Sequence, residues 1–179
     1  MIRFIYIGLL TIISAVIIHI CVLFLIPYWA QNNIWTELKK SGSPYQFVDL
    51  NAQNPIQQST DPFFLLKACR FNLENGPVHL KALKTTQFWS LAAYTYDGII
   101  FYSLNDRTAP DATLDLIIGK PIQIIELKQS QTKNNRNSVL VAKNLNKGFA
   151  LLRIFAPSLL ARKESKDFFS SATCRTFNG

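Results

Sequence analysis

Asn105, Asp106 and Arg107 form the densest polar cluster in the chain, with Asp111 and Asp115 close behind. Paired carboxylates beside an arginine at the end of a strand are equipment for binding or cleaving a sugar polymer. The same residue types also close turns, through side-chain to backbone hydrogen bonds and a local ion pair. Metal chemistry has little to draw on. A catalytic zinc needs three clustered ligands, whereas His79 is the single histidine outside the apolar N-terminal segment and no Cys-x-x-Cys pair is present. No metal or other cofactor is expected. Phosphate-cradling loops, dinucleotide fingerprints and the Gly-x-Ser-x-Gly elbow are missing too. Cys69 and His79 would make a thiol nucleophile and its base only if Cys69 is free. The balance favours a protein without catalysis.

The elements that must hold these residues begin with a membrane segment. Phe4 to Pro27 carries no charged residue, and at about 1.5 Å per residue such a helix reaches roughly 36 Å, enough to cross the hydrocarbon. Its Ile, Leu, Val and Phe residues favour insertion by about 5–10 kcal/mol, far more than a neutral His19 opposes. The bulky Tyr28 in Pro27-Tyr28-Trp29-Ala30 argues against signal cleavage. Tyr28, Trp29 and Trp35 read as an aromatic belt at the outer interface. On a helical projection Gly8, Thr11, Ala15, His19 and Val22 fall within one arc. Small residues let a second helix approach, and an ionisable group at that depth needs a polar partner.

Charge alone barely orients the segment, since Arg3 and the amino terminus face Lys39 and Lys40. The cysteines lean the balance, against the alternative of two free thiols in a cytosolic domain. Cys21 lies inside the bilayer, which leaves Cys69 and Cys174 as one pair in the remainder. A disulfide between them requires an oxidising compartment, so the N-terminus is expected inside and the domain outside. Only Arg3 of 19 basic residues precedes residue 31, leaving 18 against 11 acidic. Such a surface is drawn to anionic lipid or an acidic polymer. Without a basic stripe on a recognisable reading module, nucleic acid is not expected as a partner.

Three stretches follow from this division: an anchor over 1–30, a polar stalk over 31–60 and one β-rich domain over 61–179. The stalk is rich in Gln, Asn, Ser and Pro, with a helical turn expected at Trp35 to Lys40. Asp61-Pro62 predicts a short helix through Phe63 to Lys67. Alternation predicts a strand at Val78 to Ala82, and further strands are expected at Leu114 to Ile118, Ile122 to Leu127, Val139 to Lys143 and Phe149 to Phe155. Gln129 to Asn137 reads as a solvated loop. Beyond Pro157, Ser158 caps a helix in which Leu159, Leu160, Phe168 and Phe169 pack inward while Arg162, Lys163 and Lys166 face water.

The sharpest local signal is Phe88 to Leu104, two β-rich runs joined by Asp97-Gly98, the preferred pair of a type I′ hairpin. That turn pairs Tyr96 with Ile99, Tyr94 with Phe101 and Leu91 with Leu104. Trp89, Leu91, Ile100, Tyr102 and Leu104 then share one face, and Tyr94, Tyr96 and Phe101 the other. A sheet apolar on both sides has one face covered by a helix, the stalk or a partner, or lies inside a sandwich. The fold class is mainly β within α+β, one transmembrane helix before a β-sandwich-like domain with short flanking helices. Tyr94, Tyr96, Phe101, Asn105, Asp106 and Arg107 are the candidate ligand or partner site.

Several of these residues also carry a likeness: His19-Ile20 through Ile26-Pro27, Asp61-Pro62-Phe63, Ala68-Cys69-Arg70-Phe71, Asn75-Gly76-Pro77-Val78, Phe88-Trp89-Ser90-Leu91, Tyr102 through Arg107, and Ala156-Pro157. Together they resemble the DUF twelve-fifty-four family in its short, membrane-anchored alphaproteobacterial form. The resemblance covers most of the chain. It implies a bacterial inner-membrane protein with a periplasmic domain and a mostly β fold. It also implies a partner, a second small membrane protein carrying the companion domain that elsewhere lies beside or within the same chain. No catalytic residues carry over, because none are established for the family.

Overall fold

The structure, a computed structural model, describes residues 2–50, 54–58, 60–83, 86, 88–129 and 138–177, with 27–33 described by their backbone alone. The first helix, α1, is Ile2–Ser41. Its apolar part, Ile2–Ile26, has a mean hydropathy of 2.9 and no burial against the rest of the chain. By length and composition it can cross a membrane. The helix does not stop at residue 30. It continues through Trp35 and Leu38, neighbours on one helical face, and Leu38 is buried at 3% exposure.

The stretch expected as a stalk is therefore built into the domain. Tyr45 donates its backbone N–H to the Arg70 carbonyl at 2.9 Å and its hydroxyl to the Asn72 carbonyl. Strand β1, Val48–Asp49, pairs with β2, Phe64–Asn72, through Val48 opposite Ala68. Leu50 is buried, and the short helix α2, Pro55–Gln58, follows. A few apolar residues scattered among Asn, Gln and Ser suffice to dock this segment. Composition averaged over thirty residues hides them.

The remaining elements are β3, Val78–Ala82; β4, Trp89–Thr95; β5, Ile100–Asn105; β6, Asp115–Gly119; α3, Pro121–Gln129; β7, Val139–Ala142; β8, Lys147–Phe155; α4, Leu159–Ser171; and β9, Ala172–Thr176. They make two sheets, ordered β1-β2-β8-β4-β5 and β7-β6-β3-β9. Every pairing is antiparallel except β6 with β7, whose parallel register spans the α3 crossover. Phe71, Leu91, Leu152 and Ile154 of the first sheet meet Val78, Leu80, Leu116 and Ile118 of the second in one core. Cys69 on β2 and Cys174 on β9 are joined by a disulfide across it, with their Cα atoms 6.5 Å apart. On the outer face of the first sheet a second cluster packs Leu38 and Leu50 on Leu66, Ala68 and Phe149. At Gly148 an added Cβ would come within 2.6 Å of the Tyr94 carbonyl oxygen and 2.9 Å of the Phe71 ring, so β8 passes there only without a side chain.

Four local expectations change. Asp61-Pro62 makes a single turn, with Asp61 Oδ1 accepting from the Phe63 N–H at 2.9 Å. The residues after it form a strand because they pair with β8 along all of β2. Ile122 to Leu127 is helical. Pro121 opens α3, the Gln123 side chain caps the Lys120 N–H at 2.8 Å, and of the three isoleucines only Ile124 is buried. Leu159 and Leu160 point to solvent at 88% and 67% exposure, whereas Phe168 and Phe169 pack inward. Of the loop expected over Gln129 to Asn137, residues 130–137 lie outside the described residues.

The fourth change is the hairpin. Gly98 alone in the turn has a positive φ, 79°, and its N–H bonds the Thr95 carbonyl while the Thr95 N–H bonds the Ile99 carbonyl. That is a three-residue loop, Tyr96-Asp97-Gly98, closed by a glycine bulge. Leu91 faces Leu104 as the pattern predicts, but the register shifts between Ala93 and Tyr94, so Tyr94 faces Ile100. The extra residue turns Phe101 inward onto the main core with Tyr102 and leaves Ile100 outside at 57% exposure.

Candidate functional site

Of the three aromatic residues expected to receive a partner, Tyr94 is covered by the chain itself and Tyr96 only in part, at 39% exposure. Tyr94 stacks on Phe149 with ring centroids 4.9 Å apart. Tyr96 meets Trp35 of α1 at 5.0 Å. Phe101 belongs to the interior, as the bulge requires. Arg70 completes the cover: it lies over the Trp35 ring at 5.4 Å and donates to the Gly42 carbonyl at 2.5 Å. Trp35 thus also docks the helix on the domain, and the side chains of Tyr28 and Trp29 lie outside the described residues.

The Asn105-Asp106-Arg107 turn sits at the opposite end of the hairpin. Asn105 Oδ1 accepts from the Arg107 N–H at 3.0 Å and the Thr108 N–H at 2.9 Å. Asp106 Oδ2 accepts from the Phe88 N–H at 2.9 Å. Both acceptors hold backbone, which fixes the turn beside the start of β4. Asp115 does not join them. It belongs to β6 in the other sheet.

There it anchors a cluster that the strand pattern alone leaves unpaired. His79 Nε2 lies 2.8 Å from Asp115 Oδ1 and Lys81 Nζ 2.9 Å from Oδ2. Ser138 donates its hydroxyl to Oδ1 at 2.6 Å. The alternation of β3 puts His79 and Lys81 on one face, and the register sets Lys81 opposite Asp115. The serine proton points at the carboxylate, not at the imidazole, so these groups do not form a nucleophilic relay. A Cys69–His79 pair is ruled out as well, because Cys69 is in the disulfide.

Burial works to raise the Asp115 pKa, but the hydrogen bonds from His79, Ser138 and Lys81 together outweigh it. They hold the carboxyl well below the usual carboxylate range. The unfolded chain therefore takes up this proton before the folded one does. We expect Asp115→Asn to lower stability by about 1–3 kcal/mol at pH 7. The wild-type advantage should shrink as pH falls below about 4. Urea midpoints of both chains at pH 7 and pH 3 check this, and a difference independent of pH would mean the charge is not its source.

Along α1, Gly8, Thr11, Ala15 and His19 form the expected stripe, and among the described residues nothing covers it. The Thr11 hydroxyl donates to the Gly8 carbonyl at 2.8 Å, which satisfies it within the helix. Beside α4, two cavities of about 440 and 450 Å³ share Leu50 and Leu65, with Arg162 on one and Lys67 and Lys166 on the other. Among the described residues no three His, Cys, Asp or Glu side chains gather as a metal site would need.

Exposed apolar residues concentrate at the Asp106 end of the first sheet. The Phe155 ring is ringed by Phe64 at 5.4 Å and by Phe63 and Phe88 at 6.4 Å each. Phe63 and Phe88 are 49% and 55% exposed, and Leu159 and Leu160 follow shortly after in the chain.

No family model matches the chain, and no curated protein does. Among solved structures it is similar to the VPA0106 protein of Vibrio parahaemolyticus, with a TM-score of 0.61 at 13% identity over 83% of this chain and 34% of that one. An uncharacterised protein from Burkholderia cenocepacia gives a TM-score of 0.47 at 10% identity, over 74% of this chain and 34% of that one. The chain thus spans about a third of the length of either protein. The Vibrio likeness shows a shared fold.

Proposed function

We propose that the chain is a single-pass protein of the bacterial inner membrane, its N-terminus cytoplasmic and its domain periplasmic. On this reading it works without catalysis, as a cell-envelope component that docks a second membrane-associated protein. The observation that carries the docking is the exposed apolar end formed by Phe63, Phe88 and Phe155, with exposed Leu159 and Leu160 on the helix whose Arg162 donates to the Pro62 carbonyl at 2.9 Å. Soluble surfaces rarely gather apolar groups in this way unless something covers them. The α1 stripe supplies a second uncovered surface, within the membrane. A disulfide across the core supports an oxidising compartment. The fold fills 34% of the Vibrio chain, where further polypeptide accompanies it. Here the companion is proposed to be a separate chain, as the resemblance to the DUF twelve-fifty-four family implies.

Purification of the tagged full chain from its native membranes in mild detergent tests this reading. A single small membrane protein should co-purify in constant ratio. Leu159→Asp with Leu160→Asp should reduce its recovery by about tenfold or more, the effect of losing a hot spot. If the wild type elutes alone, or the double variant retains the companion fully, docking at this end is wrong.

A further inference from the structure

The opposite end of the hairpin has an apolar surface of its own. Ile99 and Ile100 are 62% and 57% exposed, beside Tyr96 at 39%. We infer that this tip rests in the phospholipid headgroup layer of the bilayer crossed by α1, and so holds the domain against the membrane. The inference rests on the membrane-anchor reading above and adds to it a second point of attachment.

Two observations, with the geometry of a helix, put the tip there. The helix is continuous from Ile26 to Trp35, nine residues and about 13 Å of rise. Helical side chains lean toward the N-terminus, so the Trp35 ring reaches back by roughly one turn, to about 8 Å beyond the apolar span. Tyr96 meets that ring at 5.0 Å. The headgroup layer is itself roughly 5–8 Å thick on each side. The tip is thus the first part of the sheet that the chain meets after leaving the hydrocarbon.

Its composition suits that layer. Tyr96 and Trp35 are the residue types that favour the interface, and two isoleucines stand ready to bury apolar area at the headgroup–acyl boundary. Asp97 in the turn carries a negative charge, while Lys147, whose carbonyl accepts from the Tyr96 N–H at 3.1 Å, carries a positive one beside it. Phe88 begins the same hairpin at its far end, about 20 Å away along β4.

The full chain with Cys21→Ala, carrying a single polarity-sensitive label at Ile99→Cys or at Phe88→Cys, tests the inference. The chains are reconstituted in phosphatidylcholine–phosphatidylglycerol vesicles containing a headgroup nitroxide lipid. The label at 99 should be quenched several-fold more than the label at 88. Equal quenching in vesicles that float with the protein overturns the tip contact while leaving the anchor standing. Failure of the protein to float with vesicles overturns the anchor reading, and the contact with it.

Discussion

Cys69→Ala combined with Cys174→Ala should lower the unfolding free energy of the domain by about 4–5 kcal/mol, the chain-entropy value for a loop of this length. The two residues are 105 apart in sequence and join β2 of one sheet to β9 of the other. Almost every strand lies inside the closed loop, so the bridge removes freedom from nearly the whole unfolded domain. Small domains are stable by about 5–15 kcal/mol, so a loss of this size takes about a quarter of the margin or more. Urea unfolding of the detergent-solubilised chain, followed by tryptophan emission, reads it. Wild type in reductant should match the double variant. A loss under about 1 kcal/mol would show that the sandwich core alone holds the two sheets together.

Trp89→Ala should cost about 3–5 kcal/mol, the range for an aromatic side chain removed from a packed core. Trp89 is 1% exposed and stacks on Phe168 of α4 with centroids 5.9 Å apart. Its indole N–H donates to the Ala112 carbonyl at 3.3 Å. One side chain thus ties β4, α4 and the loop before β6. Trp89→Phe separates its two contributions. Most of the packing stays while the Ala112 carbonyl loses its donor, and the expected cost falls to about 1–2 kcal/mol. Equal losses in the two variants, read from the same urea curves, would mean the hydrogen bond dominates.

The parts of this fold that were legible in the sequence depend on signals contained in one short window. Phe4 to Pro27 needs only length and composition. Val78 to Ala82 needs only alternation, Asp97-Gly98 only turn chemistry, and Cys69 with Cys174 only the removal of Cys21 into the apolar helix. Other features depend on tertiary context. Ile122, Gln123, Ile124, Ile125 and Glu126 fit a strand or a helix equally, and Pro121 settles the matter only once a cap forms. The bulge after Ala93 reverses the faces of Ile100 and Phe101, and no residue there announces it. The His79, Lys81, Asp115 and Ser138 cluster draws on three separate segments, so spacing carries no trace of it. In the candidate site, the pattern groups Tyr94, Tyr96 and Phe101 on one face; Phe101 turns to the core, while Tyr94 and Tyr96 lie on the outer side of the sheet. Their cover proved to be the chain's own helix, through Trp35 and Leu38.

That cover has a mechanical consequence. A domain hung on a flexible linker is indifferent to how its anchor sits in the bilayer. Here α1 passes unbroken from Ile2 to Ser41, and its last turns are clamped to the sheet by Leu38, Trp35 and Arg70. The helix, about 60 Å long, is thus joined to the sheet with no flexible linker between them. On the membrane-anchor reading proposed above, a change in the tilt or rotation of Ile2–Ile26, such as a neighbour gripping the Gly8 to His19 stripe would impose, would also turn the sheets.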